Sequence, residues 1–155
     1  LEHVDSDTRY VVFIDADYTY PAEYIPKMIE ILEENSDVGM VAGNRFNKRF
    51  VLKEAMSDAY YLGNRFLAIT QYLLNRVRLR DPLTGLRVVR WAILKDWKPR
   101  SRSFDVEAEL NHYVERKGYR IMEVPIYYRK RFGEKKLKLR HGFIILRRIL
   151  MESLS

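Results

Sequence analysis

The chain has 155 residues, of which 47% are apolar, with 28 Lys and Arg against 21 Asp and Glu and no Cys. The absence of Cys from these residues excludes disulfide frameworks, Cys-ligated zinc, iron–sulfur clusters and thiol catalysis. No apolar run approaches the ~20 residues that a membrane-spanning helix needs, and no signal peptide is visible. We expect one globular domain over residues 1–155, either soluble or membrane-associated.

The two parts of the chain carry opposite charge. The first 44 residues contain ten acids and two bases, whereas the rest of the chain contains 26 bases and 11 acids. This division is typical of a protein in which an acidic cluster holds a cation beside a basic surface that binds phosphate groups. A charged, solvated exterior is the alternative explanation.

The beginning of the chain alternates strand and helix patterns. A continuous β-branched apolar run at residues 10–14 predicts a strand that is buried on both faces, as in a parallel sheet. Pro21 begins a helix predicted over residues 22–35, and a second apolar run predicts a strand over residues 38–42. We expect these elements to form a βαβ unit.

A long helix is predicted next, over residues 53–77, because apolar residues recur every three or four positions. Its aromatic side chains from Tyr60 to Phe66 are interpreted as core rather than as a lipid groove. The following elements are a turn at 81–85, a strand at 86–89, a short helix at 91–94, an amphipathic helix at 104–117 and an extended segment at 120–128. Gly118 is expected to cap the amphipathic helix, and Pro125 indicates an edge strand or a bulge.

The last predicted element is an amphipathic helix over residues 141–155. It is too short and too charged to span a membrane, but Arg147 and Arg148 beside Ile and Leu residues are typical of a helix at a membrane surface. A helix that docks on the rest of the domain is the alternative interpretation. The three histidines, His3, His112 and His141, lack the spacing of metal ligands, and we assign them no role.

The segment VVFIDADYT contains the acidic motif of the chain. In an extended segment, Asp15 and Asp17 project to the same side, at the carboxyl end of a strand where open α/β sheets place their ligands. Two carboxylates with room for water and phosphate oxygens suit Mg²⁺ or Mn²⁺. The alternative is that the two acids cap the helix that follows.

Other functions compete for this motif. An EF-hand calcium loop is excluded, because Tyr20 and Pro26 stand where it needs Gly and Glu. DADYT also resembles the nucleophile motif of haloacid-dehalogenase-type phosphatases, which would make Asp15 the nucleophile of a magnesium-dependent phosphatase. Such enzymes need a downstream acidic pair, but Asp58, Asp81 and Asp96 are isolated. A non-enzymatic basic module that binds membranes or nucleic acid is the third hypothesis, although it lacks aromatic–basic interleaving, and we expect no nucleic-acid partner.

A series of motifs occurs in the order found in one known family. DADYTYPAEYIPKMIE resembles its Asp–x–Asp strand end and Pro-led helix, VAGNRF its Gly-Ser-Arg segment, and KEAMS with Asn64 the start of its long helix. DPLTGLRVVR resembles its Asp–x–x–Ser-Gly-Phe-Arg stretch. FDVEAELNHYVERKGYRIMEVPIYYRKR and GEKKLK resemble its late helix, Glu-Val-Pro strand and Gly–x–Ser-Lys loop. The sequence thus resembles glycosyltransferase family 2, specifically the dolichyl- or polyprenyl-phosphate sugar transferases.

The resemblance implies an α/β protein with the Rossmann-like GT-A fold, here lacking the N-terminal nucleotide-binding strands, and therefore a piece of a longer catalytic domain. It implies a metal-dependent inverting transfer of mannose or glucose from a nucleotide-sugar, of the GDP-mannose or UDP-glucose type, to dolichyl or polyprenyl phosphate. The cofactor would be Mg²⁺ or Mn²⁺. The enzyme is expected to be membrane-associated, at the cytoplasmic face of a membrane.

The resemblance also implies roles for individual residues. Asp15, Asp17 and Arg131 would be catalytic, and Thr19 would join the two aspartates in binding the metal. The residues implied to bind substrate phosphate groups are Arg45, Lys53, Ser57, Arg129, Arg131 and Lys136. The residues implied on the acceptor side are Asp81, Thr84 and Glu107.

Overall fold

The structure, a computed structural model, describes residues 4–5, 7–46, 59–101, 103–129 and 141–154. The strands in these ranges are β1 (Tyr10–Phe13), β2 (Val38–Asn44), β3 (Arg87–Arg90) and β4 (Arg120–Pro125). The helices are α1 (Ile25–Glu34), α2 (Ala59–Asn75), α3 (Trp91–Leu94), α4 (Val106–Arg116) and α5 (His141–Ser153), and a 3₁₀ turn, Ala22–Tyr24, leads into α1. The predicted elements within the described ranges are therefore confirmed, with small shifts of their boundaries.

The strands form one mixed sheet in the order β1-β3-β2-β4. β2 and β4 are parallel, whereas β3 runs antiparallel to both β1 and β2. Phe13 in β1 and Ala42 in β2 both pair with Arg87, the first residue of β3. Ala42 also pairs with Glu123 of β4. The carboxyl ends of β1, β2 and β4 and the amino end of β3 consequently lie together, at what we call the carboxyl end of the sheet.

Helices cover both faces of the sheet, which gives the layered α/β arrangement that the sequence predicts. The cluster between α1 and the sheet includes Met28, Leu32, Val41 and Val88. The cluster on the opposite face includes Met40, Val89, Ile93, Trp97 and Leu110. A third cluster holds α2, α4 and α5 together through Leu67, Ala108, Ile145 and Ile149.

β1 differs from the sequence prediction. It is the terminal strand of the described sheet and is only partly covered, with Val12 36% exposed, so burial on both faces is wrong for these residues. Its neighbour is the antiparallel β3, which lies between β1 and β2. A short apolar run favours a strand but does not determine which distant segment will pair with it.

Gly118 and Pro125 lie where the sequence predicts. Gly118 follows α4 with a φ of +82°, a left-handed conformation that glycine adopts without a steric penalty. Pro125 ends β4, which is the other terminal strand of the described sheet. Proline is tolerated there because its missing N–H costs no ladder hydrogen bond on an open side.

α2 and α5 pack against each other and also carry large apolar side chains on their outer surfaces. Those on α2 include Leu62, Phe66, Ile69 and Leu73, which are between 47% and 71% exposed. Those on α5 and the residue that follows it are Phe143, Ile144, Leu150, Met151 and Leu154. We call this surface the apolar face. The interpretation of Phe66 as core is wrong, because α2 buries Asn64, Leu67 and Ala68 instead. In the part of the chain that the structure describes, each helix is too short or too polar to cross a membrane.

Candidate functional site

Four segments that contain predicted site residues meet at the carboxyl end of the sheet. The acidic motif follows β1, Arg45 follows β2, and Arg129 follows β4. The loop at residues 81–85 precedes β3, and it reaches the same place because β3 runs in the opposite direction. The topology therefore brings residues from widely separated parts of the sequence to one location, as is typical of ligand sites in open α/β sheets.

Asp17 is held in place by Thr19. Its carboxylate accepts hydrogen bonds from the Thr19 backbone N–H, at 3.2 Å, and from the Thr19 hydroxyl. Thr19 is fully buried, whereas Asp17 is half-buried. Tyr18 between them has a φ of 67°, in the left-handed region that a tyrosine rarely occupies. The observed role of Thr19 is thus to orient Asp17, and its metal coordination stays a prediction.

Asp15 lies directly against Gly85. A Cβ atom built on Gly85 would collide with the Asp15 carboxylate, so a side chain at residue 85 would have to displace that carboxylate. The backbone N–H of Gly85 donates a hydrogen bond of 2.7 Å to the hydroxyl of Tyr20. Burial raises the pKa of Tyr20 to about 12, although the charge of Arg45 opposes the shift. A neutral phenol therefore fixes the loop that faces Asp15.

Asp15, Thr84, Gly85, Arg87 and Glu107 line a cavity of about 400 Å³, which we call the Asp15 cavity. Its other walls are apolar and come from β1, Trp97 and α4. Burial raises the pKa of Glu107, and the negative charges of Asp15 and Asp105 act in the same direction, while Arg87 opposes them. The predicted acceptor-side residues Thr84 and Glu107 are thus brought together with Asp15.

Arg87 is a site residue that the sequence argument did not select. It is fully buried, and it donates hydrogen bonds to the carbonyls of Thr84, at 3.0 Å, and Pro82, at 2.6 Å, and to the side chain of Asn111. Burial lowers the pKa of its guanidinium, against the attraction of Glu107. Because it binds two carbonyls of the loop, Arg87 shapes the part of the chain that contacts Asp15. Its position inside DPLTGLRVVR was the signal that could have identified it.

Arg45 forms an ion pair with Asp81, the first residue of this loop. The guanidinium of Arg45 binds both carboxylate oxygens of Asp81, through Nε and Nη2, at 2.7 Å each. Asp81 is fully buried and also accepts hydrogen bonds from the Arg45 backbone and from Asn64. Bidentate pairing of this kind fixes the orientation of both side chains. The structure therefore gives Arg45 an anchoring role, and its contact with substrate phosphate stays a prediction.

Arg129 is attached to the acidic motif by two contacts. Its backbone N–H donates to the carbonyl of Thr19 at 2.9 Å, and its guanidinium lies 4.7 Å from the centre of the Tyr18 ring. The guanidinium also binds Glu23 at 2.8 Å. A predicted phosphate-binding residue thus contacts Tyr18 and Thr19 of the acidic motif. The predicted residues Lys53, Ser57, Arg131 and Lys136 lie outside the described ranges.

The donor groups of the acidic motif fit a divalent cation. Asp15 is exposed and Asp17 is half-buried, so both carboxylates are accessible from the carboxyl end of the sheet. Among the described residues, no three His, Cys, Asp or Glu side chains are grouped so that they could hold a metal by themselves. Two carboxylates suit Mg²⁺ or Mn²⁺, which commonly complete their coordination with substrate phosphate oxygens and water.

Comparison with known proteins identifies the family. Residues 1–97 match the model of glycosyl transferase family 2. The chain is 37% identical over 133 residues to the dolichyl-phosphate hexose transferase of Haloferax volcanii, an alignment that covers 84% of this chain and 55% of that protein. It is 27% identical over 140 residues to the dolichol-phosphate mannosyltransferase of Pyrococcus furiosus, covering 89% of this chain and 39% of that protein. The chain belongs to glycosyl transferase family 2, which leaves the phosphatase hypothesis without support.

A solved structure defines the fold class. The chain superimposes on glucosyl-3-phosphoglycerate synthase from Mycobacterium tuberculosis, crystallised with Mn²⁺, UDP and phosphoglyceric acid, with a TM-score of 0.63 and 20% sequence identity. The superposition covers 97% of this chain and 49% of that protein. The fold is therefore GT-A, and the chain spans about half the length of the first curated relative and of this structural neighbour.

Proposed function

We propose that the protein is a glycosyltransferase that moves a hexose from a nucleotide-sugar to dolichyl phosphate or a related lipid phosphate, with a divalent metal and with inversion. The observation that carries this proposal is the position of Asp15 against Gly85, in a cavity that also contains Arg87 and Glu107. The Haloferax relative is named a dolichyl-phosphate hexose transferase, and one structure of the Mycobacterium synthase contains Mn²⁺ and UDP-glucose. These names support the substrate classes in the proposal.

Donor binding is assigned to the acidic motif. Asp15 and Asp17 would hold Mg²⁺ or Mn²⁺, which when bound stabilises the negative charge of the departing nucleoside diphosphate. The two hydrogen bonds from Thr19 keep the Asp17 carboxylate in one orientation. Gly85 leaves space for the Asp15 carboxylate, and Arg87 keeps the loop around Gly85 in place. Fixed groups of this kind save the free energy of reorganisation during the reaction.

Transfer to a phosphate acceptor requires cations that hold the substrates rather than a general base. An oxygen of the lipid phosphate forms a bond to the anomeric carbon while the bond from that carbon to the nucleoside diphosphate breaks on the opposite face. The acceptor is already an anion, so no proton has to be removed. Two phosphate-bearing substrates must instead be held close together, a task that suits Arg129 beside the acidic motif. Lys53, Ser57, Arg131 and Lys136 are proposed to assist.

The apolar face is proposed to lie on the membrane that contains the lipid acceptor. The sequence of α2 contains no Asp or Glu, and the only acid of α5, Glu152, is buried. Exposed arginines, Arg76, Arg78, Arg80 and Arg147, follow α2 or lie on α5. Exposed apolar side chains accompanied by cations and not by acids are typical of helices that bind anionic bilayers in their interface.

A transfer assay on the full-length protein tests this function. The protein is incubated with Mn²⁺, dolichyl phosphate and radiolabelled GDP-mannose or UDP-glucose, and label is counted in the organic extract. We expect label with one of the donors, its loss on chelation, and a reduction on the order of a hundredfold in Asp15→Asn. Asp96→Asn, an exposed acid in the turn after α3, is the matched control and should be fully active. Absence of labelled lipid with both donors, or an active Asp15→Asn, would contradict the proposal.

A further inference from the structure

A groove of about 480 Å³ lies between α2 and the segment that follows this helix. Arg65, Ile69 and Tyr72 of α2 line one side, and Arg78 and Arg80 of the following segment line the other. The lining is completed by Ala68, Leu79 and Glu123. We call it the arginine groove. It shares no lining residue with the Asp15 cavity, and the steps of sugar transfer proposed above do not use it.

The segment after α2 presents its arginines on one side. The chain leaves the helix at Arg76, which has a φ of 61°. Exposed and buried residues then alternate, with the arginines at 76, 78 and 80 exposed and Val77 and Leu79 buried. A period of two is typical of an extended chain, in which alternate side chains project to the same side. The Cα atoms of Arg78 and Arg80 are thus about 6.6 Å apart, which lets both long side chains reach one anion.

The carboxylate in the arginine groove is already engaged by the backbone. Glu123 of β4 accepts hydrogen bonds from the backbone N–H of Arg80, at 3.0 Å to each of its oxygens. It accepts another from the backbone N–H of Asp81, at 2.8 Å. These bonds fix the segment on β4 and do not involve the guanidinium of Arg80. Substitution of that side chain therefore leaves the backbone contacts in place.

The guanidinium groups of the arginine groove favour an anion. Among the described residues, Arg65, Arg78 and Arg80 form no ion pair with a carboxylate. The guanidinium of Arg78 lies 5.7 Å from the centre of the Tyr72 ring, and Glu115, which attracts it, does not line the groove. One carboxylate cannot neutralise three guanidinium groups, so the groove attracts negative charge. Phosphate is the anion whose oxygens arginine binds best, through paired N–H donors.

The arginine groove is continuous with the apolar face. Ile69 belongs to both and is 52% exposed, and Tyr72 beside it is 45% exposed. Leu73, the next residue of α2, is 71% exposed. Cations bordered by exposed apolar side chains match a phospholipid, which has a phosphate group and hydrocarbon chains in one molecule. A soluble phosphate would gain nothing from the apolar side chains, so a lipid is favoured.

We propose that the arginine groove binds the phosphate group of one anionic phospholipid of the bilayer. Arg65, Arg78 and Arg80 donate hydrogen bonds to the phosphate, and the hydrocarbon chains extend along Ile69 and Tyr72. The inference rests on the proposed function, because the lipid reaches the groove from the membrane on which the apolar face lies. A lipid bound in this way gives α2 a fixed orientation on the bilayer, which non-specific attraction of charges does not provide.

Titration calorimetry with a short-chain lipid separates binding in the groove from adsorption to a bilayer. The full-length protein is titrated with dihexanoyl phosphatidylglycerol below its critical micelle concentration, where no membrane is present. Dihexanoyl phosphatidylcholine, which carries no net charge, and inorganic phosphate, which lacks hydrocarbon chains, are the comparison ligands. Arg78→Gln with Arg80→Gln removes two charges from the groove. Arg76→Gln with Arg147→Gln removes equal charge from exposed positions that do not line it.

We expect one saturable site for dihexanoyl phosphatidylglycerol, with binding at least tenfold weaker in the groove variant and unchanged within twofold in the control. Phosphatidylcholine and inorganic phosphate should each bind at least tenfold more weakly than phosphatidylglycerol. Circular dichroism verifies that both variants are folded. Absence of a saturable site, equal weakening in both variants, or inorganic phosphate that binds as tightly as the lipid would overturn the proposal.

Sedimentation of the wild-type protein with phosphatidylglycerol vesicles separates this proposal from the membrane location of the apolar face. Protein that sediments without binding the monomeric lipid overturns the lipid site and leaves the membrane location in place. Protein that binds the monomeric lipid without sedimenting supports the lipid site and contradicts the membrane location.

Discussion

The Asp15 carboxylate occupies the space that a side chain at Gly85 would need, since a Cβ there would lie 2.3 Å from its Oδ2 atom. Gly85→Ala should therefore displace the carboxylate and lower kcat/KM for sugar transfer roughly a hundredfold, because catalysis tolerates about 1 Å of misplacement poorly. Steady-state kinetics across a range of Mn²⁺ concentrations would measure the loss. The Mn²⁺ concentration needed for half-maximal activity should rise.

Gly63→Ala is the matched control for this substitution. Gly63 lies in α2, and a Cβ built there meets nothing within 4 Å. Alanine should leave transfer unchanged and stabilise the helix by about 0.5–1 kcal/mol. If Gly85→Ala retained full activity, the close contact with Asp15 would have no catalytic importance.

Arg148 should be among the residues on which stability depends most. It binds Asp105 at 2.8 Å and Glu152 at 3.3 Å, and Glu109 lies 3.9 Å away, with all four side chains almost completely buried. Arg148→Met would leave three buried carboxylates without their cation, and we expect a loss of roughly 3–5 kcal/mol in the free energy of unfolding. Urea denaturation at pH 7 measures this loss.

The neighbouring arginine provides the comparison. Arg147 is exposed on α5, so Arg147→Met should change the free energy of unfolding very little. The deficit of Arg148→Met should also shrink as the pH falls, because protonation removes the unpaired negative charges. Equal stability of the two variants would mean that the buried ion cluster does not hold α5 in place.

The Glu107 carboxylate should lower the stability of the fold while contributing to sugar transfer. Burial raises its pKa above the ordinary value, so the folded protein holds this proton more tightly than the unfolded chain does. By thermodynamic linkage, the folded protein therefore loses stability as the pH rises from the unfolded-state pKa of Glu through the higher folded-state pKa. Glu107→Gln should therefore raise the melting temperature at pH 7, and the gain should disappear below about pH 4.3.

Activity completes the test of Glu107. Because this carboxylate lines the Asp15 cavity, Glu107→Gln should lower sugar transfer at the same pH at which it stabilises the fold. Glu115, on the same helix and with a pKa also raised by burial, does not line that cavity and serves as the control. A melting temperature that fell at pH 7 would show that the attraction between Glu107 and Arg87 outweighs the cost of burial.

The apolar face should determine membrane binding but not folding. Phe66→Glu with Leu73→Glu places two charges on side chains that are 58% and 71% exposed. We expect vesicles of anionic lipid to bind the variant at least tenfold more weakly, since each large apolar side chain contributes about 1.5–3 kcal/mol when buried. Sedimentation with vesicles measures the binding, and thermal unfolding should be almost unchanged.

A single charge introduced elsewhere controls for electrostatic repulsion by the vesicles. Ala92→Glu on α3 adds a negative charge at an exposed position away from the apolar face, and its effect on binding should be small. If the two α2 substitutions had no more effect than Ala92→Glu, the apolar face would not be the surface that meets the bilayer.

The order of strands and helices was predictable because local patterns determine it. The buried run of β2, the Pro-led start of α1 and the glycine after α4 each have local causes. The place of β3 between β1 and β2 was not predictable, because pairing between Phe13 and Arg87 joins residues that are far apart in sequence. For the same reason β1 was expected to be more buried than it is.

The candidate site, too, could be predicted only in part, because local patterns do not determine contacts between residues that are far apart in sequence. Asp15 and Asp17 were found from their spacing and from the resemblance to family 2, and both lie at the carboxyl end of the sheet. The close approach of Asp15 to Gly85 and the hydrogen bonds from Thr19 to Asp17 depend on distances of a few ångströms that no pattern encodes. Arg45 carries a charge that suggests phosphate binding, but only the structure reveals that Asp81 already engages its guanidinium.

The reversed direction of β3 has a consequence for how such proteins diversify. Each of the four segments at the site is attached to a different strand, and the pairing of the strands is set by residues away from the loops. The segments are also bound to one another, because Arg45 binds Asp81 of the loop before β3, and Arg129 binds the carbonyl of Thr19. A change in one segment therefore requires a matching change in the segment that it contacts, while the sheet that supports both can stay the same.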